Sequence, residues 1–150
     1  GDGTGHFARS VALTAVQEPS AIGVGDFDGD GFADVAVANV DGSVDVYDGA
    51  GDGTFAAPTS VGGGSQATGL AVHDVNGDGR DDLIVADRGE NSVGVFLGLA
   101  NRTLSPRRYP AGTTPTHLAL LDLDNDGALD VLVVENTSAV LWLRANGCRP

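Results

Sequence analysis

Apolar residues recur in two forms along the chain: stretches in which every second residue is apolar, and unbroken runs of four. Ile22 with Val24, Leu70 with Val72, and Leu118 with Leu120 alternate; VAVA from Val35, LIVA from Leu83 and VLVV from Val131 are continuous; SVDVY from Ser43, SVGVF from Ser92 and AVLWL from Ala139 alternate again. Period-two alternation rich in Val and Ile, punctuated by Gly, Asp and Asn, predicts strands joined by tight turns, and no long stretch has helical spacing. The continuous run in each set predicts a strand buried on both faces.

The sets repeat. DFDGDGFAD begins at Asp26, DVNGDGRDD at Asp74 and DLDNDGALD at Asp122, 48 residues apart each time. A glycine-rich turn and a fourth stretch close each unit, most clearly at GDGTF (residues 51–55) and more weakly at LANRTL (residues 99–104). Four short antiparallel strands in about 48 residues are the size and strand count of a β-propeller blade. The expected fold is therefore all-β, one unit over residues 1–150 with blade repeats at about 7–54, 55–103 and 104–150. In a meander or Greek-key sandwich, the alternative, the equal spacing would be coincidence. Phe7 in GDGTGHF stands 48 residues before Phe55, so residues 1–15 are expected to supply a closing outer strand, completing the last blade of this chain or of a neighbour. Three blades fall below the usual ~4 to 8. The chain is therefore expected to pair with a copy of itself, preferably as a dimer of six blades, or to sit beside adjacent blades of a longer chain. Bare blade faces and an open strand edge would otherwise favour aggregation.

Each repeated loop concentrates carboxylates, which repel one another unless a cation bridges them. Side chains at positions 1, 3, 5 and 9 carry oxygen: Asp26, Asp28, Asp30 and Asp34; Asp74, Asn76, Asp78 and Asp82; Asp122, Asp124, Asp126 and Asp130. Position 6 is Gly31, Gly79 or Gly127, where a sharp turn excludes a side chain, and position 7 (Phe32, Arg80, Ala128) offers a backbone carbonyl. An all-oxygen set of this size, without His or Cys, suits Ca2+ better than Mg2+, which keeps more water. An EF-hand loop would end in Glu at position 12, whereas Val37, Val85 and Val133 stand there, so the loop is a strand-to-strand turn closed by Asp. Three Ca2+ sites are expected, moving the formal charge from -13 to -7.

On these loops, on the VAVAN, LIVAD and VLVVE runs that follow, and on the GDGTF turn, the chain resembles the integrin-type FG-GAP or VCBS-like repeats. The resemblance implies a calcium-binding β-propeller with the ion between the first two strands of a blade, an extracellular, secreted or cell-surface location, and a binding activity such as adhesion or lectin-like recognition of glycans or cell-surface proteins. The sequence departs from the pattern at Asn76, a neutral ligand that weakens the second site, at Asn125 in place of glycine at position 4, and at LANRTL, which lacks GDG.

Composition narrows the function. The chain has 150 residues, 23 glycines and no methionine, and all eight of its basic residues are arginine against 21 acidic ones. Lacking methionine, it is expected to be processed or cut from something longer. A field this negative repels phosphate backbones and anionic lipid, so neither nucleic acid nor membrane insertion is expected. His6, His73 and His117 occupy non-equivalent places in the repeat, Cys148 has no motif around it, and carboxylates held in a metal cage are unfit as general acids, so no enzyme is expected. Trp142 aligns with Val46 and Val95 and is expected inside or between blades, with a subunit contact or a stacked sugar as its other uses; Tyr47 and Phe96 are expected to pack. Arg107, Arg108 and Tyr109 form a basic and aromatic cluster expected as solvated surface decoration, with a carboxylate-bearing ligand such as an acidic sugar as its other use. The alternative to a binding propeller is a structural repeat module of a larger surface protein or a self-assembling filament.

Overall fold

The computed structural model describes residues 3–6, 13, 18–62, 64–98, 106–137 and 140–144. Among the described residues the chain is all strand and turn, without helix. β1 (Pro19–Gly25), β2 (Asp34–Asn39), β3 (Ser43–Tyr47) and β4 (Thr59–Gly62) form the first sheet in that order, every pair antiparallel. β5 (Ala67–His73), β6 (Asp82–Asp87), β7 (Ser92–Phe96) and β8 (Arg107–Pro110) repeat it. β9 (Pro115–Leu121), β10 (Asp130–Glu135) and β11 (Val140–Leu143) form a third sheet in the same order. These are three propeller-like blades. The sheets begin one strand later than the sequence units 7–54, 55–103 and 104–150, because β4 and β8 bond to the strands preceding them. The closing strand expected from residues 1–15, the weak turn at residues 99–104, and Cys148 lie outside the described residues or, at residues 3–6 and 13, outside any strand.

Each blade is built outward from its first strand by turns whose short polar side chains bond their own backbone. Asp41 accepts hydrogen bonds from the Ser43 N–H (2.9 Å) and hydroxyl (2.7 Å), and Asp52 in GDGTF accepts the same pair from Thr54 (2.9 and 2.6 Å). GDGTF is thus the turn into β4, with Phe55 bridging back to Gly49.

The blades stack face to face. Ala36, Ala38, Val44, Val46 and Val61 of the first meet Leu83, Val85 and Phe96 of the second, with Leu70 and Val72 packed against them. Ile84 and Val93 of the second meet Val133 of the third, joined by Leu118, Leu120, Val131, Leu141 and Leu143. At the first contact, added Cβ atoms on Gly23 and Gly25 would stand 2.6 Å from the Val72 methyls, so these glycines make room for the neighbour. At the second, the approach is to backbone: a Cβ on Gly69 would lie 3.2 Å from Cα of His117.

β2 and β6 are buried throughout, as their continuous apolar runs predict, and Tyr47 and Phe96 pack in the core. β10 departs from that expectation: Val134 is 44% exposed on the outer side of the third sheet. Trp142 departs likewise. It is 46% exposed on that same outer side, beside Leu132, rather than enclosed between blades. Replacing Gly69 with valine should force blades two and three apart and cost about 1–3 kcal/mol in urea unfolding. Gly62→Ala, where an added Cβ meets nothing within 4 Å, should stay within about 0.5 kcal/mol of the parent.

Candidate metal centre

The nine-residue loops between β1 and β2, β5 and β6, and β9 and β10 share one internal bonding scheme. The position-1 carboxylate accepts backbone N–H groups from across the turn. Asp26 Oδ1 takes those of Gly29 (2.7 Å) and Asp30 (3.1 Å), and its Oδ2 takes that of Gly31 (2.9 Å). Asp74 does the same with Gly77, Asp78 and Gly79, and Asp122 with Asp126 and Gly127. Curling the backbone this far requires positive φ at position 6, where Gly31, Gly79 and Gly127 lie at 88, 84 and 87°. Position 4 is also left-handed, and Asn125 at 59° is tolerated there because Asn visits this region more readily than other side chains.

Position 9 anchors the loop to the blade. Asp34, Asp82 and Asp130 are essentially buried at the starts of β2, β6 and β10. One oxygen of each accepts the position-2 N–H, from Phe27 (3.1 Å), Val75 (2.9 Å) or Leu123 (3.1 Å). The other oxygen of Asp34 and of Asp82 reaches past the third strand to the N–H of Gly49 (2.9 Å) or Gly98 (2.6 Å). Sequence reasoning missed this last bond; its signal is the glycine that follows SVDVY and SVGVF within three residues.

Positions 1, 3 and 9 converge. Asp26, Asp28 and Asp34 bring a carboxylate oxygen each to within 4.8 Å of one another, and Asp122, Asp124 and Asp130 do likewise, so two acidic clusters can hold a metal ion. Asp30, Asp78 and Asp126 are turned to their own loops, accepting the N–H of Phe32 (2.8 Å), Arg80 (3.0 Å) and Ala128 (2.9 Å). At these three positions the second loop has two carboxylates, Asp74 and Asp82, with Asn76 at position 3; the Asn76 amide donates to Asp78 (3.1 Å). Like charges about 5 Å apart repel by on the order of 3 kcal/mol per pair at an effective dielectric of about 20. In the third loop Asp124 Oδ2 is buried against the Arg144 guanidinium as an ion pair, so a cation there would share that oxygen with it. Three converging carboxylates with only oxygen to offer fit a hard cation.

Burial pushes Asp34 above the usual aspartate range, against the N–H bonds from Gly49 and Phe27 and with repulsion from Asp28 and Asp30 adding to it. Asp82 is raised for the same reasons, burial first, with Asp78 and Asp74 adding. Asp74 goes the other way: burial raises it, but N–H groups of Gly79, Gly77, Asp78 and Asn76 together hold it below the ordinary value.

The loops are also joined to each other. The Asp26 N–H donates to Asp81 Oδ2 (2.9 Å), the Asp81 N–H donates to the Asp26 carbonyl (2.9 Å), and Arg80 Nε donates to the Asp28 carbonyl (3.3 Å). Asp81 is the acid of the second loop that has no ligand position, and this clamp is its use. Outside the loops, Arg108 turns to buried Asp87 (3.3 Å), separating it from Arg107 and Tyr109 on the other face of β8. Those two line a cleft of about 480 Å3 between blades two and three, whose walls include Ile84, Val95, Leu129 and Leu143. His6, His73 and His117 are exposed.

The family profile described as an FG-GAP-like repeat matches the chain twice, over residues 26–85 and 74–133, each match running from one acidic loop into the strand after the next. No curated protein matches the chain.

A carboxyl raised by folding binds its proton more tightly folded than unfolded, so its contribution is full below 3.8 and is lost as pH rises through the raised value. With chelator present, the melting temperature should therefore fall as pH rises above the ordinary aspartate value of 3.8 and through the raised one, and Asp34→Asn with Asp82→Asn should flatten that slope. Asp74, held low, acts below that window. Circular dichroism melts across pH check this; a level profile in the parent protein would refute the assignment of strain to these two carboxylates.

Proposed function

Because the chain belongs to the FG-GAP-like repeat family, a repeat module of integrin-like type, we propose that it is a secreted, calcium-stabilised, non-enzymatic binding module. The observation that carries this reading is the convergence of three carboxylates at each of two equivalent corners. Asp26, Asp28 and Asp34 would hold one Ca2+, and Asp122, Asp124 and Asp130 another; Asp74, Asn76 and Asp82 form a third site of lower affinity. The ion is structural: it cancels repulsion at the turn between the first two strands and leaves the carboxylates ionised and occupied. Loops of this kind suit the millimolar calcium outside cells. Among the described residues no helix is long and apolar enough to cross a membrane.

The ligand reading rests on the cleft between blades two and three. Arg107 and Tyr109 contribute to its lining above apolar walls, a combination that suits a carboxylate-bearing sugar: guanidinium for the carboxylate, aromatic ring for the sugar face. Arg108 is committed to Asp87 and takes no part. A structural module of a larger surface protein is the second reading, favoured by the uncovered outer side of the third blade.

Calcium near 100 times its dissociation constant adds about 2.7 kcal/mol of stability per site. Titration calorimetry should count two tighter sites and one weaker, and chelation should lower the melting temperature by several degrees. Asp28→Asn with Asp124→Asn should remove most of the calcium-dependent rise; unchanged melting with and without Ca2+ would reject the metal assignment. On a glycan array with calcium, acidic glycans should be retained, and Arg107→Ser should weaken them at least tenfold while Arg108→Ser lowers stability first. Equal retention by parent and Arg107→Ser protein would remove the cleft from the ligand site.

A further inference from the structure

One side chain of the third blade belongs to two sites at once. Arg144, just after β11, sets its guanidinium against Asp124 Oδ2, the position-3 carboxylate of the third acidic loop. The same residue lines the cleft between blades two and three, together with Arg107 and Tyr109. The two sites adjoin because the cleft reaches the loop end of these blades: Val75 and Asn76 of the second loop and Leu129 of the third are in its wall. The Arg144 side chain is 57% exposed and that of Asp124 is 18% exposed, so the guanidinium is the partner with room to move.

The pair is particular to this corner. Asp124 Oδ1 accepts the Asp126 N–H (3.2 Å), which leaves Oδ2 as the oxygen for which a cation and Arg144 compete. Two positive charges on one carboxylate oxygen repel each other. The register of the third strands, in which Tyr47, Phe96 and Leu143 face Val35, Leu83 and Val131, makes Asp48 and Leu97 the counterparts of Arg144. Neither of the other loops has a base at that place.

We propose that Arg144 is a switch between the metal corner and the cleft: Ca2+ on Asp124 releases the guanidinium, which then takes the carboxylate of a ligand in the cleft. This rests on the calcium and acidic-sugar readings given above. A guanidinium is a rigid planar fork that matches one carboxylate in bidentate fashion, so Asp124 and a ligand carboxylate exclude each other as partners. Calcium and ligand therefore favour one another without touching, and linkage makes the effect reciprocal. Arg107 alone lines the cleft in one state, and two guanidinium groups serve it in the other. Selection of an acidic over a neutral sugar thereby becomes calcium-dependent.

Two titrations test the switch, with glucuronate as the probe ligand. In Asp28→Asn protein the third corner is the remaining carboxylate triad among the described residues. There, adding Arg144→Gln should tighten calcium about threefold to fivefold by calorimetry, the range of an exposed ion pair, and adding Arg144→Lys should change it less. In the parent protein, glucuronate should bind tighter by a similar factor in millimolar calcium than in chelator, with free calcium held constant because the sugar acid itself binds the ion weakly. Asp124→Asn frees the guanidinium without an ion, so this variant in chelator should match the parent in calcium. Arg144→Gln should bind glucuronate weakly and equally in both buffers. Circular dichroism checks that each variant keeps the parent fold, and Asp124→Ser replaces Asp124→Asn if that one does not. Calcium affinity unmoved by Arg144→Gln overturns the proposal and leaves the metal site standing, whereas Asp28→Asn protein that binds no calcium rejects the third metal site and the switch with it. Glucuronate bound equally by the parent in calcium and in chelator overturns the switch alone. Glucuronate bound by neither the parent nor Asp124→Asn protein rejects the cleft reading as well.

Discussion

A buried carboxylate at the start of each second strand holds the blades in register. Asp34 and Asp82 each join two segments distant in sequence, the entry of the acidic loop and the turn leaving the third strand, through backbone N–H groups that would otherwise be buried without acceptors. Burial works against this arrangement, raising both groups above the usual aspartate range even with two donors on each. The charge is therefore kept at a cost, and the cost is highest where Asp28 and Asp30, or Asp78 and Asp74, stand close by. A cation at the same corner would relieve both the desolvation and the repulsion without disturbing the bonds. That is the physical link between the hydrogen-bonding role of position 9 and the proposed ligand role.

The next level of organisation follows from how the loops meet. Asp81 and Arg80 reach from the second loop to the backbone of Asp26 and Asp28 in the first, so the loop that anchors one blade also clamps the blade before it. Farther along the same contact, glycines in β1 admit Leu70 and Val72, and the apolar second and third strands fill the rest. A second set of acids works at the opposite ends of the second strands. Asp87 gathers the N–H groups of Ser65, Gln66 and Glu90, and Glu135 takes that of Thr113, tying the entry to the first strand of the same blade. Acidic side chains thus act as backbone acceptors at both ends of the blade, which is why so acidic a chain folds with few bases to pair them.

Most of this was legible from period and spacing. The strands, their antiparallel order and the place of the loops follow from alternation and a 48-residue repeat, because side-chain period two and glycine at position 6 are local constraints. What escaped was set by neighbours. Nothing near Asp81 distinguishes it from a ligand, since its partner is 55 residues away. Arg107 and Arg108 read as one cluster, yet a strand sends adjacent side chains to opposite faces, and only the pairing with Asp87 shows which one is committed. Asn125 reads as a defect until its φ of 59° shows that the position needs a residue at ease in left-handed backbone. Asp30, Asp78 and Asp126 match a ligand pattern, and one oxygen of each also accepts the position-7 N–H, a bond the spacing alone does not show.

The exposed Trp142 ties the local rules to assembly. In a repeat array each blade must bury two faces, and the residues that do so are set by position in the repeat, not by whether a neighbour is present. Val46 is buried where a blade covers it, and the same position carries Trp142 where none does. A face meant for water would carry polar residues there, as capping repeats do. Instead the third blade offers a larger apolar group than either internal contact has, beside Leu132 at the place of Ala36 and Ile84.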